Sequence, residues 1–203
     1  TNKKPTTSVV GMTKKEVSKA EQYIKGKNRV LEWGSGGSTL YFPQIVNHYV
    51  SIEHDYSWYN KIKLDILDSV EFYHVPIHDI KFDDDLDENA FDILEGTENW
   101  YNRYGSEIYT TDEKIYWNTR GGFDWHCLVD YIRKPLDLSY RDYDIILVDG
   151  RCRAMCAYVA RYLLKDDGYL LFHDFNNREY YHGILKYYEI IDVSETLAVL
   201  TKK

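Results

Sequence analysis

The chain has 203 residues, long enough for one well-buried α/β domain and too short for two generous ones. Its formal charge of −8 argues against a nucleic-acid surface, because phosphate binding needs a basic face. Cys127, Cys152 and Cys156 are odd in number and form no Cys-x-x-Cys pair, which points away from a disulfide framework or a zinc site and toward a reducing, cytoplasmic compartment.

No apolar run approaches the length of a membrane span, and Thr-Asn-Lys-Lys-Pro at the start has no signal-peptide core, so a soluble protein is expected. The chain begins at Thr1 and not at methionine, which suggests a processed product or, the favoured reading, a domain excised from something longer. Residues 1–12 look irregular. Thr13 and Glu16 then form a capping-box pattern that opens a helix ending near Gly26, with Val17, Ala20 and Ile24 on its buried face.

A strand at 29–32 leads into Glu32-Trp33-Gly34-Ser35-Gly36-Gly37-Ser38-Thr39, an acid and a glycine loop ahead of helix-forming sequence. That order is a nucleotide-binding turn. Gly34, Gly36 and Gly37 let a ligand approach the main chain, and Glu32 is placed to meet a cationic or hydroxylated ligand group. Pro43 predicts a short or offset helix after the loop. Residues 46–53 read as a second strand ending in Glu53, 21 residues beyond Glu32 (53 − 32 = 21) and placed to bind ribose hydroxyls. His54 and Asp55 follow at its carboxyl end.

Ser57 to Leu67 reads as a helix, with Trp58, Ile62 and Ile66 on one face. A third strand spans 70–77 and leaves the sheet near Pro76. Just beyond it, Asp79 is the best positional assignment for an adenine contact, with His78 second. The alternation then stops, and residues 79–125 read as an insertion. Its acidic run, Asp83-Asp84-Asp85-Leu86-Asp87-Glu88, lacks the glycine of a calcium loop and is read as a solvated turn. Its aromatics include Trp100, Tyr101, Tyr104, Tyr109, Tyr116 and Trp117; with Trp125 they serve either substrate contact or lid packing.

A helix from Trp125 to Lys134 and a strand at 143–149 restore the alternation, and the apolar core of that strand predicts a central position covered on both faces. Gly150 turns the chain into a helix from Arg153 to Leu164, with Met155, Val159 and Tyr162 on one face, ended by Asp166-Asp167-Gly168. A strand at 169–172 delivers His173 and Asp174 to the sheet edge. A helix from Arg178 to Tyr187 follows, and strands at 190–193 and 197–201 form a closing β-hairpin.

Two cofactors compete for the glycine loop. The dinucleotide fingerprint of NAD enzymes wants a third glycine where Thr39 stands. Acid-x-Gly-x-Gly, as in Glu32 to Gly36, instead resembles motif I of the class I S-adenosylmethionine-dependent methyltransferases. The strand series with its final hairpin resembles their sheet over all of the chain except the insertion. The predicted fold class is therefore α/β, a doubly wound Rossmann-like methyltransferase sheet, mostly parallel with a C-terminal antiparallel hairpin, in a single domain over 1–203. The resemblance implies S-adenosylmethionine held by Glu32, Gly34, Ser35, Gly36, Gly37, Ser38, Thr39, Glu53 and His54, with His78 and Asp79 at the adenine.

Glu32, Glu53, Asp149 and Asp174 fall at carboxyl ends of parallel strands, so they converge on one sheet edge. A hydroxyl acceptor needs a base or a metal to help it lose its proton. Asp149-Gly150-Arg151-Cys152-Arg153 and His173-Asp174-Phe175-Asn176 resemble segments of sugar and small-molecule O-methyltransferases. In their metal-dependent branch, an aspartate after the fourth strand and an acidic pair after the fifth hold magnesium, with a histidine base shortly after the first. Here Cys152 stands at the histidine position and His173 replaces the first acid of the pair.

Asp149 is then a ligand of Mg2+ or another divalent cation, or the base. Asp174 is a second ligand, and His173 is the base or a hydrogen-bonding group of the sheet edge. Arg151 and Arg153 bind an anionic or polyhydroxylated substrate or anchor the insertion through salt bridges, and Arg178 faces the same pocket. The aromatic insertion suits the apolar faces of sugar rings. The reading is an O-methyltransferase acting on a sugar or glycan, resembling the methyltransferase domain of large-virus glycosyltransferases. That resemblance implies fusion to glycosyltransferase domains and residence in the host cytoplasm. The alternatives are a methyltransferase of a phenol or carboxylate and a non-catalytic nucleotide-binding or protein-interaction domain.

Overall fold

The computed structural model describes residues 10–77 and 128–203. The insertion at 79–125, with His78, Asp79, Trp117 and Trp125, lies outside the described residues. Helix α1 (Lys14–Ile24) starts at the Thr13–Glu16 capping box and buries Val17, Ala20 and Ile24. Gly26 takes a positive φ of 75° just beyond its end, the left-handed turn that closes many helices.

Strand β1 (Arg29–Trp33) leads through the glycine loop into α2 (Gly37–Tyr41) and a 3-10 turn at Phe42–Ile45, the short helix that Pro43 predicts. Strand β2 (His48–Glu53), helix α3 (Tyr56–Lys63) and strand β3 (Val70–His74) follow. Helix α4 (Val129–Arg133) continues into a 3-10 turn at Lys134–Asp137, then strand β4 (Tyr143–Val148) and helix α5 (Arg153–Ala160). Strand β5 (Leu164–Phe172), a 3-10 segment at Glu179–Lys186, β6 (Tyr188–Ser194) and β7 (Leu197–Lys202) complete the described elements.

The described strands form one seven-stranded sheet in the order β3-β2-β1-β4-β5-β7-β6. Pairs from β3 through β5 are parallel, and β7 runs antiparallel to both β5 and β6. The alternation of side chains along each strand feeds two cores. Leu31, Trp33, Ile146 and Val148 point to one face, under α4, α5 and the 3-10 segment, whereas Val30, Ile145 and Leu147 point to the other, under α1. β4 lies at the centre of the strand order, and its apolar positions are buried on both faces, each Val, Leu or Ile contributing about 1.5–3 kcal/mol.

Several boundaries differ from the sequence pattern. Helix α3 stops at Lys63, and of its three apolar positions only Ile62 is buried, while Trp58 is 40 % exposed. The third strand ends at His74, before Pro76, and α5 ends at Ala160 and not at Leu164. The chain re-enters the sheet at Leu164, so Asp166-Asp167-Gly168 is not a helix stop. Tyr143 pairs with Leu164 and Ile145 with Tyr169, which makes 165–168 a bulge within β5. Gly168 is required there, since a Cβ would sit 2.9 Å from the Leu164 side chain and 3.0 Å from the Asp144 carbonyl. The segment near 178–187 is a 3-10 helix and not an α-helix.

Candidate functional site

The carboxyl ends of β1, β2, β4 and β5 are held in line by the ladder itself. Gly34 N–H donates to Ile52 O (2.9 Å), Asp149 N–H to Trp33 O (2.9 Å) and His173 N–H to Val148 O (3.1 Å). Each chain leaving the sheet is thus tied to the strand beside it. Between them opens a cleft of about 820 Å³, lined by Gly34, Ser35, Glu53, His54, Asp149, Arg151, Arg153 and Arg178 among the residues that the sequence singles out. Asp55, Ser57, Trp58, Lys61, Gly150 and Tyr181 also line it and were not assigned from sequence. Asp55 caps α3 by accepting from Trp58 N–H (2.7 Å), a local signal that marks where α3 meets the cleft.

Glu53 closes one wall. Its Oε2 accepts from Ser35 N–H (2.9 Å), and its Oε1 accepts from His54 N–H and Asp55 N–H (both 2.8 Å). His54 Nδ1 also lies 2.9 Å from Oε1, whereas Oε2 carries the Ser35 bond alone and keeps a lone pair for one hydroxyl of a ligand. Trp58 leans over the glycine loop, its indole N–H donating to Ser35 O at 2.5 Å, and Lys61 stands 4.5 Å from its ring centre.

Glu32 lies behind the loop and does not line the cleft. It is fully buried, with Oε1 accepting from Ser38 Oγ and Oε2 accepting from Thr39 Oγ1 (2.6 Å) and Ser51 Oγ (2.9 Å). Burial pushes its pKa up to about 7; the three hydroxyls pull it down, while the Asp149 charge adds to the rise. Ser38 and Thr39 are likewise buried, and Gly36 N–H donates to Thr39 Oγ1 (2.9 Å). Gly36, Gly37, Ser38 and Thr39 therefore fix the start of α2 and are not among the cleft-lining residues.

The opposite wall carries Asp149. Its Oδ1 meets His173 Nδ1 at 2.7 Å and Arg153 Nη2 at 3.2 Å. His173 sits behind Asp149, with its Nε2 3.5 Å from Glu16 Oε2 of α1. Burial disfavours its imidazolium, but the hydrogen bond it donates to Asp149 and the charges of Asp149 and Asp174 outweigh that, and the pKa is raised above 6.5. Glu16, the capping-box residue of α1, also accepts from Thr196 N–H (2.8 Å) and Thr196 Oγ1 (2.5 Å). Burial favours its neutral form, yet these bonds and the neighbouring His173 hold its pKa below the usual carboxylate value.

Asp149, His173 and Asp174 offer ligand atoms within 4.8 Å of one another, the spacing of a metal site. A guanidinium already joins the two carboxylates. Arg153 donates from Nε to Gly150 O (3.0 Å) and from Nη1 to His173 O (2.5 Å) and Asp174 Oδ2 (3.0 Å), besides its contact with Asp149. Asp174, in a left-handed conformation with φ 59°, is held a second time by Arg178 Nη2 at 2.8 Å. The oxygens that would face an ion are already taken, Asp149 Oδ1 by His173 and Arg153 and Asp174 Oδ2 by Arg153 and Arg178. The donor set as arranged does not fit a divalent cation. Within its own turn Arg153 has only Asp149 as an acidic neighbour, and its second partner arrives from the end of the next strand.

Strand order, the reversed β7 and the cleft at the carboxyl ends define the Rossmann-like methyltransferase fold. No protein-family model matches the chain, and no curated protein matches it. Among solved structures, a methyltransferase-like protein from Silicibacter pomeroyi superposes with a TM-score of 0.64 at 20% identity, over 96% of this chain and 88% of its own. A Staphylococcus aureus protein assigned as a caffeoyl-CoA O-methyltransferase gives 0.53 at 14% identity, covering 97% and 87%. Precorrin 8w decarboxylase from Methanobacterium thermoautotrophicum gives 0.53 at 14% identity, covering 98% and 95%. At these identities the likeness carries the fold, and the presence of a decarboxylase among the three leaves the reaction to be argued from the site. No helix among the described residues is long and apolar enough to cross a membrane.

Proposed function

We propose that the chain transfers a methyl group from S-adenosylmethionine to a hydroxyl of a sugar or glycan. The observation that carries this reading is the placement of Glu53 and Asp149 on one cleft, with the backbone of Gly34 and Ser35 between them in the loop. The volume of about 820 Å³ suits a nucleoside-sized ligand together with a small acceptor. The third dinucleotide glycine is replaced by Thr39, whose side chain is buried against Glu32, and this supports S-adenosylmethionine over NAD.

The bound cofactor supplies a methyl group on a positively charged sulfur, which is electrophilic without further activation. Glu53 accepts a ribose hydroxyl, and the Ser35 backbone and the Trp58 ring flank the loop side of the ligand. Asp149 serves as the base. Its Oδ1 is fixed by His173 and Arg153, so the carboxylate would be held in one orientation to take the acceptor proton as the O–C bond forms and the S–CH3 bond breaks, its electron pair staying on sulfur to leave a neutral thioether. His173 and Asp174 hold Asp149 and Arg153 in place from behind. Lys61 and Arg151 offer cationic donors to a polyhydroxylated acceptor on a chain whose net charge is −8, which disfavours nucleic acid. The same two cations favour a carboxylate acceptor as the second reading, for which no base is needed.

The test is calorimetric titration of the purified chain with S-adenosylmethionine and, separately, with NAD, repeated on Glu53→Ala. Micromolar binding of S-adenosylmethionine that weakens at least about tenfold in the variant is expected. Absence of binding, or preference for NAD, would overturn the reading. With methyl acceptors screened next, loss of turnover in Asp149→Asn is expected for a hydroxyl acceptor, and unchanged turnover identifies a carboxylate.

A further inference from the structure

We infer that Arg153 is the resident cation of this centre, its guanidinium occupying the position among Asp149, His173 and Asp174 that a divalent metal would otherwise take. The inference rests on the methyl-transfer reading for its chemical meaning, but its geometry stands independently. All three guanidinium nitrogens are engaged: Nε with Gly150 O, Nη1 with His173 O and Asp174 Oδ2, and Nη2 with Asp149 Oδ1. The residue is only 8% exposed, so the contacts are not those of a wandering surface side chain.

Charge balance points the same way. Asp149 and Asp174 bring two negative charges, and Arg153 and Arg178 bring two positive ones within 3.2 Å of them. Among these four side chains no net negative charge remains to draw in a dication. A guanidinium also keeps its charge at every working pH and is planar, which lets one side chain bridge two carboxylates and two carbonyls at once. Its placement follows from the chain: Cys152 adopts a left-handed conformation with φ 49°, and α5 begins at Arg153, at the mouth of the β4 turn. Arg153 is thus a positioning residue that fixes the Asp149 carboxylate, and methyl transfer at this centre proceeds with no metal.

The test is Mn2+ titration of the metal-stripped chain, followed by the electron paramagnetic resonance signal of free Mn2+, with wild type compared against Asp149→Asn so that surface sites cancel. Coincident titrations up to about 1 mM are expected, because the guanidinium already bridges the carboxylates that an ion would need. Arg153→Ala is expected to gain one Mn2+ site over wild type, and Arg153→Lys, which keeps the charge, to gain none. A wild-type site that disappears in Asp149→Asn would overturn the inference, as would a folded Arg153→Ala with no added site. If Arg153→Ala does not fold, the wild-type comparison still decides. The same samples are titrated with S-adenosylmethionine; failure there overturns the methyl-transfer reading and leaves the Mn2+ result to judge Arg153 separately.

Discussion

Gly34 and Gly150 press the loops after β1 and β4 together so tightly that neither position has room for a Cβ. One built on Gly34 would lie 2.3 Å from the Gly150 Cα, and one built on Gly150 would lie 2.9 Å from the Gly34 Cα and 2.0 Å from the Tyr131 hydroxyl. Gly34 also has φ 90°, where a side chain is strained whatever the space.

Gly34→Ala and Gly150→Ala are therefore expected to destabilise the fold by about 1–3 kcal/mol or more, from backbone strain and overpacking. Both should also widen the cleft and weaken S-adenosylmethionine binding. Urea denaturation reads the first effect and calorimetry the second. Wild-type values for either alanine variant would show that the two loops separate without cost.

Glu32 predicts a pH dependence of stability. Its folded pKa of about 7 lies above the ordinary 4.5, so the native state holds the proton more tightly than the unfolded chain. The sign follows: this contribution is fully present below pH 4.5 and is lost as pH rises to about 7, a change of about 3 kcal/mol. Glu32→Gln removes it, so the stability of wild type relative to the variant should fall between pH 5 and pH 8 in urea titrations. A difference independent of pH would mean that the hydroxyls of Ser38, Thr39 and Ser51 keep the buried carboxylate ionised throughout.

His173 offers a spectroscopic check on the wall around Asp149. Its raised pKa makes its contribution to stability present below pH 6.5 and lost as pH climbs through the folded value. In Asp149→Asn the strongest upward influence is gone while burial remains, so the imidazole pKa should drop. Side-chain NMR titration of the histidines measures this directly. An unmoved resonance would show that Glu16 and Asp174, and not Asp149, set the charge of His173.

Much of the frame was legible because it is local. The Thr13–Glu16 capping box, the helix end near Gly26, the glycine loop and the closing hairpin are each encoded within a few residues, and each is found where the pattern puts it. The acids at strand ends were legible for the same reason, since alternation fixes where a strand stops. Helix α3 was read too long, because four-residue spacing continues through Ile66 although the helix ends at Lys63 and Trp58 turns outward over the glycine loop. The β5 bulge was read as a helix stop, because Asp166-Asp167-Gly168 has the composition of a turn whether or not a neighbouring strand captures it.

The sequence by itself determined the α/β class, the parallel strand series and the position of a nucleotide-type loop, since periodicity and turn chemistry are properties of short segments. Only the tertiary structure decided the partners. Strand order places β4 between β1 and β5, and this brings Asp174 to Arg153, His173 to Asp149 and Glu16 to His173 across long stretches of chain. Side chains far apart in sequence meet only where the sheet aligns them, and no local period carries that register.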